Sequence, residues 1–600
     1  MKRTQAILFL ALAILGILIT RHYGESWDEL QFYKYADHAL ESYSAWPQRG
    51  EIIVTGNTYD NYGPAFVIFT SVTARALRAL NPNWLISDYR HLIYFFTFLA
   101  GIWAFHDIAK RWMNQLAAVA ATLLFLTQPL FWGHAFFSPK DIPFMSLFLL
   151  SLSFGFRMVD SAQPISFDSL TPSAKRILPG LFALWLVSVF SLFIFTDVFH
   201  TLIENLVRSA ASGEVNIISR IASDIQKVKP EIYIQKYFTL FLWLRLTFFL
   251  LSSFIFLYFA RRASFILHTC TGVRRKCPLS LILSASLLLG IATSTRILGP
   301  LAGIIVIYYA LRTTRHAPRA TRHALYFFLT AYAILAVIAM YITWPYLWPN
   351  PPARLLESFQ VMSQYPWKGQ VLFNGQYYSS TDLPLSYIPV LLAIQFTEPV
   401  WPLFVIGLAA LRKNNIALVS TVLWFVLPLL ALIFTRAPLY DNTRQIFFIL
   451  PPVFFVAGLG VESVLGWLNQ QKVKVGLVVL LILPGVIAGV RLHPYEYVYY
   501  NHLIANPTGR FELDYWAASY REAANWLNDN APVDAKVVVG DPQHIAEIYL
   551  RDDLQVVSSD PDYVILSTRY DAREIFFVEY ETVYKVERDG MLFAVVRKIK

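Results

Sequence analysis

The sequence predicts an all-α, multi-pass membrane bundle of about thirteen spans, closed by a small external α/β domain. Three observations point there. Hydrophobic residues make up 56% of 600 positions and charged residues 15%, with a mean hydropathy of +0.46; soluble chains carry about 25% charged residues. Apolar runs recur along residues 1–491, many approaching the roughly 20 residues that cross a hydrocarbon core. From about residue 492 charges return at ordinary density and short alternating patterns replace the long runs. The 46 Phe, 33 Tyr and 16 Trp fit aromatic belts at the membrane interfaces.

The apolar runs lie near 5–20, 63–80, 91–109, 115–133, 142–156, 178–200, 236–260, 279–295, 299–311, 325–344, 384–411, 416–435, 445–467 and 475–490. The first follows a basic start and has no small-residue cleavage site, so it reads as an uncleaved span. The net charge of +10 sits in short loops between runs. That is a topology signal, so no nucleic-acid partner is read from it. Lys110–Arg111, 157–176, 261–276, 312–322, Arg412–Lys413 and Lys472/Lys474 are placed in the cytoplasm. A first external loop (21–62), a large one (345–383) and the tail from 492 are placed outside, in a plasma or inner membrane. Segment 63–80 breaks this alternation and carries Arg75 and Arg78, so a membrane-surface or re-entrant helix is expected there. Cys270 and Cys277 read as cytoplasmic thiols rather than a disulfide, and His268 beside them makes no metal site alone.

Segment 279–311 must leave and return, yet each arm is short for a bilayer. Its turn falls at Ser294–Pro300, where Gly299-Pro300 breaks the helix and holds Arg296 at the outer face. In the tail, 536–540, 554–559, 562–567, 582–587 and 591–599 alternate as strands, and 520–528 reads as an amphipathic helix. The tail has no glycine-rich phosphate loop or Cys/His ligand set and the chain no internal repeat; no cofactor is expected, and a divalent cation, though compatible with the chemistry, is not indicated by the residues.

The outer loops carry most of the unusual polar residues: Asp28 and Glu29 in GESWDELQFY, His134, Lys140 and Asp141 in GHAFFSPKDIPF, Arg296, and Tyr440, Asp441 and Arg444 in APLYDNTRQ. Each has a plainer reading. The acidic pair could be a solvated loop start, although an acid pressed against a bilayer face is costly to place. Lys140 and Asp141 could pair and cap the helix beginning at Pro143. Arg296 could snorkel, Arg444 could flank the next span, and His134 fits a structural role. YITWPYLW (341–348) reads as an interface belt. Taken jointly, one carboxylate with several cations on one face suits transfer from a lipid-linked phosphate donor. Cations hold the phosphate, which leaves without needing an acid, so a single base suffices. Hydrolysis at a sugar needs two opposed carboxylates.

These motifs, with NTYDNYGPAFVIFT (57–70, including Tyr62), GIATSTRILGP, LYDNTRQIFFILPPVFFVAGLG, HPYEYVYYNHLIAN and FELDYWAASYREAANWL, resemble the membrane-integral GT-C glycosyltransferases. The likeness is to the family-39-like group related to protein O-mannosyltransferases and the lipid A aminoarabinose transferase. It implies the GT-C fold and an inverting transfer from a polyprenyl-phosphate sugar to a glycan, lipid or protein acceptor on the outer face. Asp28 would be the base and Glu29 its neighbour. Lys140, Arg296 and Arg444 would bind the phosphate, near Asp141, Tyr440, His134 and Tyr62. Loop 345–383, with Trp367, Lys368, Asn374 and Tyr377, would cover the site or contact the acceptor, and the tail would position the acceptor or be purely structural. A transporter or lipid flippase instead predicts charges within the spans and two related halves. A scaffold presenting the tail gives no reason for the acidic pair.

Overall fold

The computed structural model describes residues 2–161, 172–193, 196–222, 224–262, 278–504 and 506–599. Cys270, Cys277 and His268 lie outside the described residues, as do parts of the basic loops at 157–176 and 261–276. The chain is mostly helical with a small C-terminal sheet.

Among the described residues, six helices are long and apolar enough to cross a membrane by length and composition. They are Ile86–Ala109, Asp141–Asp160, Pro230–Phe256, Leu325–Ile342, Asn415–Thr435 and Gln471–Leu492. Gln115–Leu126 and Pro129–Phe137, bent by 58°, make a seventh when read as one broken span, and six shorter apolar helices accompany them. Full-length spans are thus fewer than the thirteen expected. Hydropathy adds apolar residues across breaks that the backbone makes. Run 384–411 is two helices, Tyr387–Ile394 and Val400–Leu411, and run 445–467 becomes an α-helix only at Pro451. Segment 63–80 forms the helix Ala65–Leu80 with Arg75 and Arg78 exposed. Loop 21–62 contains an unexpected helix, Glu29–Arg49.

Contacts divide the chain into two compact units, one of Met1–Phe32, Phe69–Ser153 and Ser363–Lys600, the other of Tyr33–Ile68 and Phe154–Met362. In the first, Val400–Leu411 lies directly against Pro451–Gly466. A Cβ added to Gly407 would fall 1.9 Å from the Val456 oxygen, and one on Gly460 2.0 Å from the Leu403 oxygen. Small residues at a helix interface allow this approach inside a membrane. Stacked rings fill the space beside it, with Phe105 and Phe455 centred 4.1 Å apart. At the bend after Leu126, Gln128 bonds Leu124 O and Thr397 at 2.9 Å and accepts from the Thr397 amide at 3.0 Å. Polar groups released by the break are thereby paired inside protein.

The tail forms a five-stranded sheet in the order β4-β3-β5-β7-β6, with β3 Lys536–Val539, β4 Gln555–Val556, β5 Tyr563–Ser567, β6 Glu581–Arg588 and β7 Met591–Lys598. All five lie where alternation placed them. The β6–β7 hairpin turns on Asp589-Gly590, both at positive φ, as a two-residue turn matched to strand twist requires. Helix Tyr520–Asn530 buries Tyr520, Ala523, Ala524 and Leu527, one helical stripe. A hairpin absent from the sequence reading, β1 Gln370–Phe373 with β2 Gln376–Ser379, joins the tail's first loop through a Phe373–Phe511 bridge and the Gly375 amide on Arg510 O at 3.0 Å.

In the second unit the broken hairpin forms as expected, Pro278–Thr293 and Pro300–Thr313 around the 294–299 turn. Gly63 approaches that turn so closely that a Cβ would sit 2.0 Å from the Ser294 oxygen, and the Ala65 amide bonds the same oxygen at 3.2 Å. The aromatic run 341–348 is not an interface belt. Trp344, Leu347 and Trp348 are buried with Trp46 and Tyr341, and the Trp348 indole donates to Tyr341 O at 2.7 Å. Indole N–H groups that find carbonyls inside the protein remove the reason to sit at a headgroup layer.

Candidate functional site

Of the candidate residues named from sequence, Asp28, Glu29, His134, Lys140, Asp141, Tyr440, Asp441 and Arg444 fall in the first unit. Two helix starts set the geometry. Asp28 precedes the helix Glu29–Arg49, and Lys140 precedes the helix that opens on Asp141 rather than Pro143. Asp141 exchanges bonds with Ser138 (amide to Oγ at 2.9 Å, Oγ to Oδ2 at 3.1 Å), which closes the first turn where the helix dipole favours an acid. Lys140 is thereby held with its Nζ 3.1 Å from Asp28 Oδ2 and 4.5 Å from the centre of the Phe32 ring.

Arg444 arrives from a strained turn. Asp441 and Asn442 both take positive φ (54° and 61°), a conformation Asp and Asn tolerate better than other residues bearing a Cβ. The turn is pinned by the Asn442 amide group on the Tyr500 hydroxyl at 2.9 Å. It drives the guanidinium into the centre of the cluster, where it is 2% exposed. There it donates to Asp141 Oδ2 at 3.0 Å and to Asp441 Oδ2 at 2.7 and 3.0 Å, with Asp28 Oδ2 at 3.8 Å. The Trp516 and Tyr440 rings cover it, centred 4.5 and 5.0 Å away. Three surrounding carboxylates raise its pKa well above the ordinary value against the opposing effect of burial.

The tail supplies Arg569, which sequence reading missed. It donates to Asp441 Oδ1 at 2.9 Å and to Tyr515 O, and lies over Trp27 at 4.9 Å. Trp367 of the large loop stacks on Tyr440 at 4.3 Å. No periodic pattern marks Arg569, and only its place beside a strand end could have drawn notice. Asp28, Asp141 and Asp441 therefore face Lys140, Arg444 and Arg569, a balanced set of charges. For Asp28, burial favours the neutral acid, but Lys140 and Arg444 outweigh it and lower the pKa below the usual carboxylate value.

The acidic pair separates. Glu29 is fully buried, accepting from the Ser26 amide at 2.7 Å and the Tyr94 hydroxyl at 3.1 Å, with His91 Nε2 at 3.2 Å. Lys140 pairs with Asp28 and Asp141 with Arg444. His134 is buried, with Nδ1 2.8 Å from Leu130 O and Nε2 3.1 Å from the Tyr515 hydroxyl, a structural placement. Arg296 and Tyr62 belong to the second unit. Arg296 is half-buried in the 294–299 turn, and Tyr62 is buried with its carbonyl accepting from Tyr35 at 2.5 Å. Among the described residues no group of three or more His, Cys, Asp or Glu is placed to hold a metal ion.

The chain is similar in structure to several solved proteins. ArnT from Cupriavidus metallidurans, solved bound to undecaprenyl phosphate, matches over 99% of this chain and 98% of its own at 14% identity and a TM-score of 0.45. The Archaeoglobus fulgidus oligosaccharyltransferase in its apo form matches 93% of this chain and 69% of its own at 11% identity and 0.34. AglB from the same organism, in complex with an inhibitory peptide and a dolichol-phosphate, matches 93% and 61% at 12% and 0.35. No family model and no curated protein matches the sequence.

Proposed function

We propose that the chain is an inverting glycosyltransferase that moves a sugar, hexosyl or pentosyl, from a polyprenyl-phosphate donor to an acceptor hydroxyl on the extracytoplasmic face. The observation behind this reading is the placement of Asp28. It is the partly open carboxylate of the cluster, with 18% of its side chain exposed, and it touches two cations that a phosphate would also seek.

Asp28 takes the acceptor proton as the acceptor oxygen attacks the anomeric carbon. The bond to the phosphate breaks and the phosphate leaves with its electron pair, held by Lys140 and Arg444. One displacement with one base inverts the configuration. The cluster is neutral before the donor arrives, so a phosphate that draws Lys140 away relieves the depression of the Asp28 pKa. Donor binding thus strengthens the base as the reaction begins. Glu29 stays out of the chemistry and holds the loop. The reading invokes no cofactor.

In this reading residues 1–491 are the membrane domain and 492–600 the external one. The reading takes the shorter apolar helices as crossings beside the long helices and the bent pair, with the N-terminus cytoplasmic and the tail outside a plasma or inner membrane. The test is Asp28→Asn in the purified full chain. Transfer from a polyprenyl-phosphate sugar should fall by about 10²–10⁴-fold in a protein that still folds. Transfer at the wild-type rate refutes the assignment.

A further inference from the structure

The helix Gln471–Leu492 packs on protein mainly along one side. Val478, Gly485 and Leu492 are its buried residues, and a Cβ on Gly485 would meet the Thr127 oxygen at 2.2 Å. Around the helix from these, Leu480, Leu483, Ile487 and Arg491 form a second stripe at helical spacing. Its three aliphatic side chains are exposed. This stripe lines a cavity of about 440 Å³ in the first unit, within the range of small-molecule sites. Tyr499 and Ile504 from the chain that follows, with Met591 of β7, complete its apolar lining. From Leu480 to Arg491 the stripe climbs about 16 Å at the α-helical rise, close to the roughly 15 Å depth of one leaflet's hydrocarbon.

The charged lining narrows the occupant. Arg491 pairs with Asp589 of the β6–β7 turn, and His502 Nδ1 lies 2.6 Å from Glu398 Oε1. All four residues line the cavity. Both pairs are partly open to the surroundings, and exposed ion pairs hold weakly. A ligand with one charge of each sign can therefore enter between partners and leave no charge unmatched. Two acids against one arginine and one histidine leave no surplus positive charge, so an anionic head gains nothing net. A head that is neutral overall, with a phosphate for Arg491 and an ammonium for Asp589 or Glu398, matches the lining. Carboxylates only accept hydrogen bonds, which favours an ammonium that carries N–H groups over a quaternary one.

We propose that this cavity seats one membrane phospholipid with a zwitterionic, primary-ammonium head, its chain along the Leu480–Ile487 stripe and its head between the two ion pairs. The proposal uses the placement of Gln471–Leu492 across the bilayer and nothing of the transfer chemistry. Lipid that merely coats a helix needs an apolar face alone and has no use for ion pairs drawn from separate stretches of chain. The experiment is native mass spectrometry of the detergent-solubilised full chain, titrated with phosphatidylethanolamine, phosphatidylcholine and phosphatidylglycerol of identical chains. One phosphatidylethanolamine should bind about tenfold more tightly than either other lipid. Arg491→Gln combined with Asp589→Asn should bring it down to the level of phosphatidylglycerol; Asn keeps a residue that tolerates the positive φ of that turn. Ile487→Trp, which fills the cavity, should weaken the first phosphatidylethanolamine by about the same factor. Should Ile487→Trp fail to fold, the double variant decides. Equal binding of the three lipids marks a non-specific coat and overturns the proposal, as does any other order among them or an affinity unchanged in the folded variants.

Discussion

Asp28 and Glu29 are joined by one peptide bond and occupy different kinds of surroundings. Glu29 is sealed among an amide, a phenol and an imidazole, all spent on holding the turn from Ser26 into the helix. Asp28 faces mobile-stemmed and forked cations and keeps 18% of its side chain open. The helix start explains the division, since successive residues at an N-terminus point about 100° apart. The lesson is that an acidic pair in sequence is two separate physical questions. A carboxylate bonded on all sides is fixed structure, whereas one held only by cations can exchange them for a ligand.

The strongest way to break this contrast is to remove the cation at its centre. Arg444→Met strands Asp28, Asp141 and Asp441 together without their buried guanidinium, and should cost about 5 kcal/mol or more. Expression and thermal unfolding in detergent would show it as a protein that barely accumulates. Next comes Glu29→Ala, which takes away the buried acceptor that the Ser26 amide, Tyr94 hydroxyl and His91 share. A loss of about 3–5 kcal/mol is expected, with the specific transfer rate of the surviving folded fraction within a few-fold of wild type. Loss of transfer without loss of stability would reverse the roles given to the two acids.

Lys140→Met sharpens the comparison with a smaller effect. Wild-type Asp28 has a lowered pKa, so its contribution to stability is present above the unfolded value of about 3.9 and lost as pH falls through the folded value. The acid limb of kcat/KM should likewise lie below the ordinary carboxylate range in the wild type and move to higher pH in Lys140→Met. A limb that stays in place would show that Lys140 does not control the base.

Much of this was legible in order along the chain. The five tail strands follow from period-two alternation, and the hairpin break at Gly299-Pro300 follows from residues that cannot continue a helix. Convergence was expected of Asp28, Glu29, His134, Lys140, Asp141, Arg296, Tyr440, Asp441 and Arg444 from their placement on one face; of these the structure links Lys140 to Asp28, and Arg444 to Asp28, Asp141 and Asp441. Arg569 was not legible, because its significance comes only from what the tail is folded against. The aromatic run at 341–348 misled, since its indoles find partners inside the protein that local composition cannot reveal.

By itself the sequence determined the class of the molecule: apolar runs that need lipid, breaks where glycine and proline stand, strands where side chains alternate. These depend on neighbours a few residues apart, and local sterics and hydropathy decide them. Tertiary structure alone decided which of two adjacent acids meets cations and which meets neutral donors, and it brought a tail arginine to a loop aspartate 128 residues away. Such choices turn on distances of about 3 Å between groups far apart in the chain, where hydrogen bonding and Coulomb interaction take effect.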